Sequence, residues 1–216
     1  MTDTATDTSA AVREGLPTAL RNEALWASGF GDQYLVRNAE VGAPRAAFWD
    51  DFMGRYPAQR VLEVGCTQGD NLVHIARHLP PHDVWGLDIN TTVLEALREH
   101  APGVNATWGS ARSLPFRDGW FDLTFTVGLL IHQPDEVLPL VMGELVRTSS
   151  RWVVCGEYHA DEPTEINYRG FDGLLFKRDY GRIYTELFPE LTLVEERFLT
   201  KEDGFDRVTF SVLEKR

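Results

Sequence analysis

The chain has 216 residues, two cysteines and a formal net charge of −12. That length suits one α/β domain with a full core, and an acidic balance argues against a nucleic-acid substrate, whose phosphates need a basic footprint. No apolar run is long enough to span a bilayer, no signal-peptide pattern is present, and Cys66 and Cys155 do not imply a disulfide, so a cytoplasmic protein without a membrane partner is expected.

Residues 1–15, rich in Thr, Ala and Asp and without periodicity, read as a disordered tail. Residues 16–216 read as one domain. Its first part, 16–57, is a helical cap: a helix within 18–38, then one over 44–56 that Pro44 opens and Pro57 ends. Val61 to Val64 belongs to a buried first strand, 60–64. A helix over about 69–79 puts Leu72, Ile75, Ala76 and Leu79 on one face, and Pro80-Pro81 stops it. The second strand, 83–88, ends on Asp88. Thr92 and Glu95 form a capping-box pattern that opens a helix to about residue 100. A short third strand near 104–107 follows. Asp118-Gly119 marks a turn before a fourth strand, Trp120 to Val127. A helix over about 135–148 leads to a fifth strand, Arg151 to Gly156. Residues 157–180 read as an irregular or partly helical insertion. A helix near 180–188 and strands at about 191–199 and 206–214 complete the chain.

Alternating strands and helices imply a parallel sheet with right-handed crossovers and helices on both faces. The short link with Asp203-Gly204 makes the last two strands an antiparallel hairpin, since parallel neighbours need a long crossover.

The turn after the first strand carries the chemistry. Gly65 and Gly69 let backbone approach a ligand, and the N–H groups of the next helix start favour an anionic group. A carboxylate at the tip of the second strand, Asp88, can accept both hydroxyls of a ribose. A dinucleotide fingerprint needs a middle glycine for the pyrophosphate, and Thr67 stands there; the P-loop lysine is also missing. Glu63, two residues before the turn, would repel a phosphate and suit an ammonium or sulfonium. That charge pattern fits S-adenosylmethionine. In the turn Glu63-x-Gly65-x-x-x-Gly69, the acid Asp88 and the segment order, the chain resembles class I S-adenosylmethionine-dependent methyltransferases. The resemblance implies a Rossmann-like α/β fold: a seven-stranded sheet, mostly parallel, closed by a C-terminal antiparallel hairpin. The cofactor set is then Glu63, Gly65, Cys66, Thr67, Gly69, Asn71, Asp88, Ile89 and Asn90, with Val127 and Ile131 from the fourth strand's end. The resemblance also places the turn Trp108-Gly109-Ser110-Ala111 at the adenine, although Ser110 stands where the family often has an acid.

Groups that move protons should lie beyond strands four and five. His132 is the leading base or orienting group, unless it only bonds loop backbone; His159 and Glu157 are the other catalytic candidates. Tyr158, Tyr168, Arg169, Lys177 and Arg178, in the 157–180 insertion, are expected to shape a site for a small polar acceptor, the cations holding a carboxylate or phosphate. Internal ion pairs, such as Arg178 with Asp179 or Glu157, are the competing reading. No His or Cys cluster at ligand spacing appears, so no metal is expected.

From about residue 24 onward the chain is similar to the group labelled pseudaminic acid biosynthesis-associated methylases. The carrying segments are Phe30-Gly-Asp-Gln-Tyr-Leu-Val-Arg-Asn38, Gly128-Leu-Leu-Ile-His-Gln-Pro-Asp135, Gly156-Glu-Tyr158, Glu165-Ile-Asn-Tyr-Arg-Gly170 and Leu175-Phe-Lys-Arg-Asp-Tyr180. Asn167, where a proline is usual, Phe171, where a histidine is usual, and the acidic Ala160-Asp161-Glu162 depart from the group. The resemblance implies that Tyr34, Arg37 and Asn38 fold over the cofactor, with Arg37 on its carboxylate and Tyr34 and Asn38 near the acceptor. The expected acceptor is a sugar, nucleotide-sugar or amino-acid-like metabolite with an O or N nucleophile, and the expected assembly a monomer or homodimer. A nicotinamide-dependent oxidoreductase and a non-catalytic cofactor-binding scaffold are the alternatives.

Overall fold

The structure, a computed structural model, describes residues 18–38, of which 36–38 by backbone alone, and residues 45–216. The expected tail at 1–15 and the first residue of the expected helix at 44–56 lie outside the described residues.

Seven strands form one sheet in the order β3-β2-β1-β4-β5-β9-β8. They are β1 (Val61–Val64), β2 (Val84–Asp88), β3 (Asn105–Trp108), β4 (Phe121–Val127), β5 (Ser149–Glu157), β8 (Leu191–Leu199) and β9 (Val208–Lys215). The first five are parallel, and β9 runs antiparallel to both β5 and β8. All four residues of β1 are buried, as a central parallel strand covered on both faces requires.

Alternate strand residues feed two cores. Val61, Leu123, Phe125 and Val154 pack with α3 (Arg45–Arg55), α4 (Leu72–Ile75) and α5 (Thr91–His100). Leu62, Val64, Phe121 and Val153 pack with α6 (Leu138–Thr148) and α7 (Tyr180–Leu187) on the other face. Period-2 side-chain alternation and helical stripes therefore agree. The fold is the Rossmann-like sheet expected, with its C-terminal antiparallel hairpin.

Three local expectations are corrected. The insertion 157–180 is not irregular or helical: it holds a second, two-stranded antiparallel sheet, β6 (Thr164–Tyr168) with β7 (Phe171–Lys177). Arg169 and Gly170 close it with φ of 54° and 86°, the paired positive dihedrals of a tight hairpin turn. Helix α4 is shorter than 69–79. Gly69 sits at φ 86°, and after residue 75 the bonds tighten to i→i+3 spacing at Arg77 and His78. Helix α5 is capped by Asn90 and not by Thr92: Asn90 Oδ1 accepts from the Thr92 and Val93 N–H groups at 2.8 and 3.4 Å.

Two further helices precede the sheet, α1 over 18–26 as far as described and α2 (Gly29–Asn38). Chain order reverses between β1 and β4, so the loops at their carboxyl ends part and leave a crevice there.

Candidate active site

The crevice is a cleft with about 860 Å³ of empty space, open solvent included. Its floor is Val64, Gly65, Thr67, Leu87, Asp88 and Ile89; Gly109 and Ala111 bound one end, and Gly128, Leu129 and His132 the other. Helix α1 lays Ala19, Asn22, Glu23 and Trp26 along its roof, joined by Gly31 and Tyr34 of α2.

Gly65 has φ 76°, its N–H donates to the Leu87 carbonyl at 2.8 Å, and a Cβ there would meet Leu129 Cδ1 at 2.9 Å. Thr67 takes a left-handed φ of 47° without being glycine, a cost of about 1–2 kcal/mol. What holds it is its N–H, which donates to Asp88 Oδ2 at 3.0 Å. Asp88 Oδ1 accepts from the Asn90 N–H at 2.9 Å. Burial raises the Asp88 pKa, opposed by the N–H groups of Asn90, Thr67 and Ile89. Each carboxylate oxygen offers about two acceptor sites, so these N–H groups leave room for a further donor from the cleft. Asn90 Nδ2 donates to the Trp26 carbonyl at 3.0 Å and to Asp32 Oδ1 at 2.9 Å, tying the roof to the floor.

Ser110 does not line the cleft. Its hydroxyl donates to Glu23, which also takes Arg112 Nε at 2.9 Å and Nη2 at 2.5 Å. Glu23 and Trp26 were missed by sequence reasoning. They stand on a helix without a motif, and only tertiary packing brings them over the cleft.

His132 is 7% exposed and lines the cleft. Its Nδ1 lies 2.5 Å from the Leu174 carbonyl oxygen, which accepts only, so Nδ1 carries the proton and Nε2 keeps its lone pair. Among the described residues no group hydrogen-bonds Nε2. Burial pushes the ring's pKa down to about 4, against the pull of the Leu174 bond, so the ring is neutral at pH 7. Its face lies 4.6 Å from the Trp26 ring and 5.5 Å from that of Tyr168.

The structure brings Gly65, Thr67, Asp88, Ile89, Asn90, Ala111, Val127, His132 and Tyr34 together on the cleft, and leaves others of the expected set elsewhere. Glu63 is buried under the glycine turn, where Asn71 Nδ2 donates to Oε1 at 2.6 Å and Oε2 finds no partner; burial raises its pKa to about 8. Asn71 is itself buried, accepting from Arg45 Nη1 at 3.0 Å and Trp49 Nε1 at 3.1 Å. Cys66 and Ile131 are core residues, and Gly69 backs onto Leu97.

Glu157 does not face the cleft as a catalyst would. It is 1% exposed, and its carboxylate accepts from Thr126 Oγ1 at 2.8 Å and from the N–H groups of Leu129, Leu130 and Ile131 at 3.2, 3.1 and 3.2 Å. It holds the short helical turn Leu130–His132 that presents His132. His159 lies off the cleft, with Nε2 3.1 Å from Asp161 Oδ1. Tyr158 donates its hydroxyl to Asp206 at 2.7 Å, and Lys177 Nζ stands 5.7 Å from the Tyr158 ring. Arg178 pairs with neither Asp179 nor Glu157: it is buried, 2.6 Å from Asp135 Oδ1, and donates to the Tyr180 hydroxyl at 3.1 Å. Arg169 is at the exposed hairpin tip, 5.7 Å from the Tyr168 ring. The side chains of Arg37 and Asn38 lie outside the described residues. Among the described residues no three His, Cys, Asp or Glu cluster as metal ligands, and no helix is long and apolar enough to cross a membrane.

Residues 61–150 match the methyltransferase domain family. A demethylmenaquinone methyltransferase of Anoxybacillus flavithermus is 28% identical over 179 residues, 76% of this chain and 74% of that protein. An uncharacterized methyltransferase of Schizosaccharomyces pombe is 32% identical over 139 residues, 58% of this chain and 49% of the other. The chain spans about a quarter to a half of the length of the first curated relatives it matches. Among solved structures, Burkholderia thailandensis 1,6-didemethyltoxoflavin-N1-methyltransferase, with bound 1,6-didemethyltoxoflavin and S-adenosylhomocysteine, aligns with a TM-score of 0.64 at 14% identity, covering 100% of this chain and 92% of that one. The segment from 61 to 150, which builds the glycine turn and carries Asp88, thus matches the methyltransferase domain family by sequence, and it is set in a fold that solved methyltransferases share.

Proposed function

We propose that this chain is an S-adenosylmethionine-dependent methyltransferase acting on a small acceptor through an oxygen or nitrogen nucleophile. The observation that carries the reading is Asp88, aimed into the cleft at the switch point with acceptor capacity to spare, beside a glycine turn that a Cβ would block. When bound, the cofactor supplies a methyl group on a sulfonium sulfur.

The residues present fit that group. Asp88 takes the ribose hydroxyls, Gly65 and Thr67 give close backbone, and Ile89, Gly109 and Ala111 flank the adenine. Ser110 acts indirectly, by orienting Glu23 at the same end. Arg37 is assigned to the cofactor's carboxylate. Glu63, Asn71, Cys66 and Gly69 shape the turn from below, and Val127 and Ile131 support the far wall. His132 Nε2 accepts the hydrogen bond of the nucleophile's O–H or N–H and aims its lone pair. A ring whose conjugate acid has a pKa near 4 serves this orienting role better than that of a strong base. Tyr34, with Trp26, closes the roof over the reacting atoms and excludes competing water. Asn38 and Tyr168 border the acceptor end.

Calorimetric titration with S-adenosylmethionine, S-adenosylhomocysteine and NADH tests the reading. The two sulfur ligands bind and NADH does not. Asp88→Ala loses hydrogen bonds to a charged acceptor, about 1.5–3 kcal/mol, and weakens binding at least about tenfold. Binding of NADH alone would move the oxidoreductase alternative forward; binding without turnover on any acceptor would favour the scaffold.

A further inference from the structure

The walls of the cleft constrain what it accepts, provided the methyltransferase reading above holds. The charged side chains that line it are Glu23 and Asp88, both acidic; among the described residues no Lys or Arg lines it. The cations that sequence offered for an anionic acceptor are engaged elsewhere. Arg178 is buried against Asp135 and Tyr180, Lys177 sits by Tyr158, and Arg169 stands at the exposed hairpin tip. Arg112 reaches toward the cleft only to neutralise Glu23. With Arg37 assigned to the cofactor's carboxylate, a phosphate or carboxylate on the acceptor would leave water with no cation among the described residues to receive it, a loss that buried anions do not sustain.

What the acceptor end offers is ring surface. Trp26 meets the His132 ring at 4.6 Å and the Tyr34 ring at 5.8 Å. Phe30 and Tyr168 back them, with ring separations of 5.1 Å from Trp26 to Phe30 and 6.2 Å from Phe30 to Tyr168. Trp26 Nε1 is buried without a hydrogen-bond partner, so the part of the indole that the cleft sees is carbon. The arrangement is held from three sides. Asn22 Nδ2 donates to the Gly173 carbonyl at 2.9 Å, Arg21 Nη2 to that of Asp172 at 3.1 Å, and His132 Nδ1 to that of Leu174 at 2.5 Å. Helix α1, the β6–β7 hairpin and the His132 turn therefore form one aromatic roof, in which His132 Nε2 is left to take a hydrogen bond.

We infer that the acceptor is an uncharged aromatic alcohol, its ring packed against the cleft side of Trp26 and Tyr34 and its hydroxyl on His132 Nε2, and not a sugar nucleotide or other anion. Offset and edge-to-face ring contacts reward such a ligand beyond its buried area. The weak basicity of His132 points the same way: a phenolic O–H, near the tyrosine value of about 10, gives up its proton far more readily than an aliphatic hydroxyl.

The test is calorimetry on the full chain saturated with S-adenosylhomocysteine, titrated with 2-naphthol, with decahydro-2-naphthol as the saturated ring of similar size, and with UDP-glucose. The expected result is 2-naphthol binding at least about tenfold tighter than either comparison ligand, with Trp26→Leu reducing its affinity about tenfold. If UDP-glucose binds as tightly as 2-naphthol, or the saturated alcohol does, the aromatic assignment is overturned while the cofactor reading stands. If S-adenosylhomocysteine itself fails to bind, the cofactor reading falls and this inference with it.

Discussion

Glu157 sets burial against hydrogen bonding. Four donors converge on its carboxylate: the Thr126 hydroxyl and three consecutive N–H groups of the turn that carries His132. They favour the ionised form, while full burial favours the neutral acid and is the larger effect, raising the pKa from 4.5 to about 7. Tyr180, Tyr184 and Cys155 pack nearby and feel the same charge without offering a cation. The sign follows from proton binding. Between pH 4.5 and 7 the folded chain holds a proton on Glu157 that the unfolded chain has released, so this stabilising share is complete below 4.5 and is lost as pH rises through 7. At about 1.4 kcal/mol per pH unit, that window amounts to about 3 kcal/mol. Glu157→Gln mimics the neutral acid and cannot ionise. The unfolding free energy of the wild type minus that of the variant should therefore fall by about 3 kcal/mol between pH 4.5 and pH 8, other titrating groups such as Glu63 cancelling in the difference. Urea denaturation at the two pH values measures it. A difference that stays level or rises with pH would show that the four donors outweigh burial and that the carboxylate is ionised throughout.

His132→Ala removes the Nε2 lone pair assigned to the nucleophile, and kcat should fall at least about tenfold with the calorimetric affinity for S-adenosylhomocysteine unchanged; undiminished kcat would remove His132 from the chemistry. Since burial holds its pKa near 4, the ring is neutral above pH 5, and a rate profile on the wild type should show no inflection from His132 between pH 5 and 9. Gly86→Ala places a methyl 2.7 Å from Cys66 Sγ, 2.8 Å from Leu72 Cδ1 and 2.9 Å from Leu97 Cδ2, all buried. Overpacking of this kind costs about 1–3 kcal/mol, read as a lower urea midpoint, and an unchanged midpoint would mean that the core beside β2 yields more freely than these distances allow.

The glycine turn and Asp88 were legible because their chemistry is local. A backbone that must reverse after a buried strand shows itself as glycine, and an acid at a strand tip has few other places to point. The β6–β7 hairpin was not legible. Four of the five β6 residues are exposed, so no alternation of apolar and polar residues marks the strand, and the signal lay in the two turn residues Arg169 and Gly170. Burial of charge was the least visible property. Glu157 ends β5 and His132 stands just beyond β4, yet one faces inward to a nest of N–H groups and the other outward to the cleft.

The same difference decides the acceptor. Arg169, Lys177 and Arg178 read in sequence as a cationic pocket because composition counts charges without their partners. Arg178 illustrates the error: a guanidinium in a buried position must be paired, and Asp135, forty-three positions away in sequence, supplies the pair at 2.6 Å. A cation already paired in this way cannot also hold a phosphate without abandoning Asp135 and the Tyr180 hydroxyl. What remains on the cleft is decided by subtraction. Asp88 keeps its acceptor capacity for the cofactor's ribose, and at the other end His132 retains one lone pair beside ring carbon; a neutral aromatic alcohol meets that lone pair and those rings, and an anion meets no cation among the described residues.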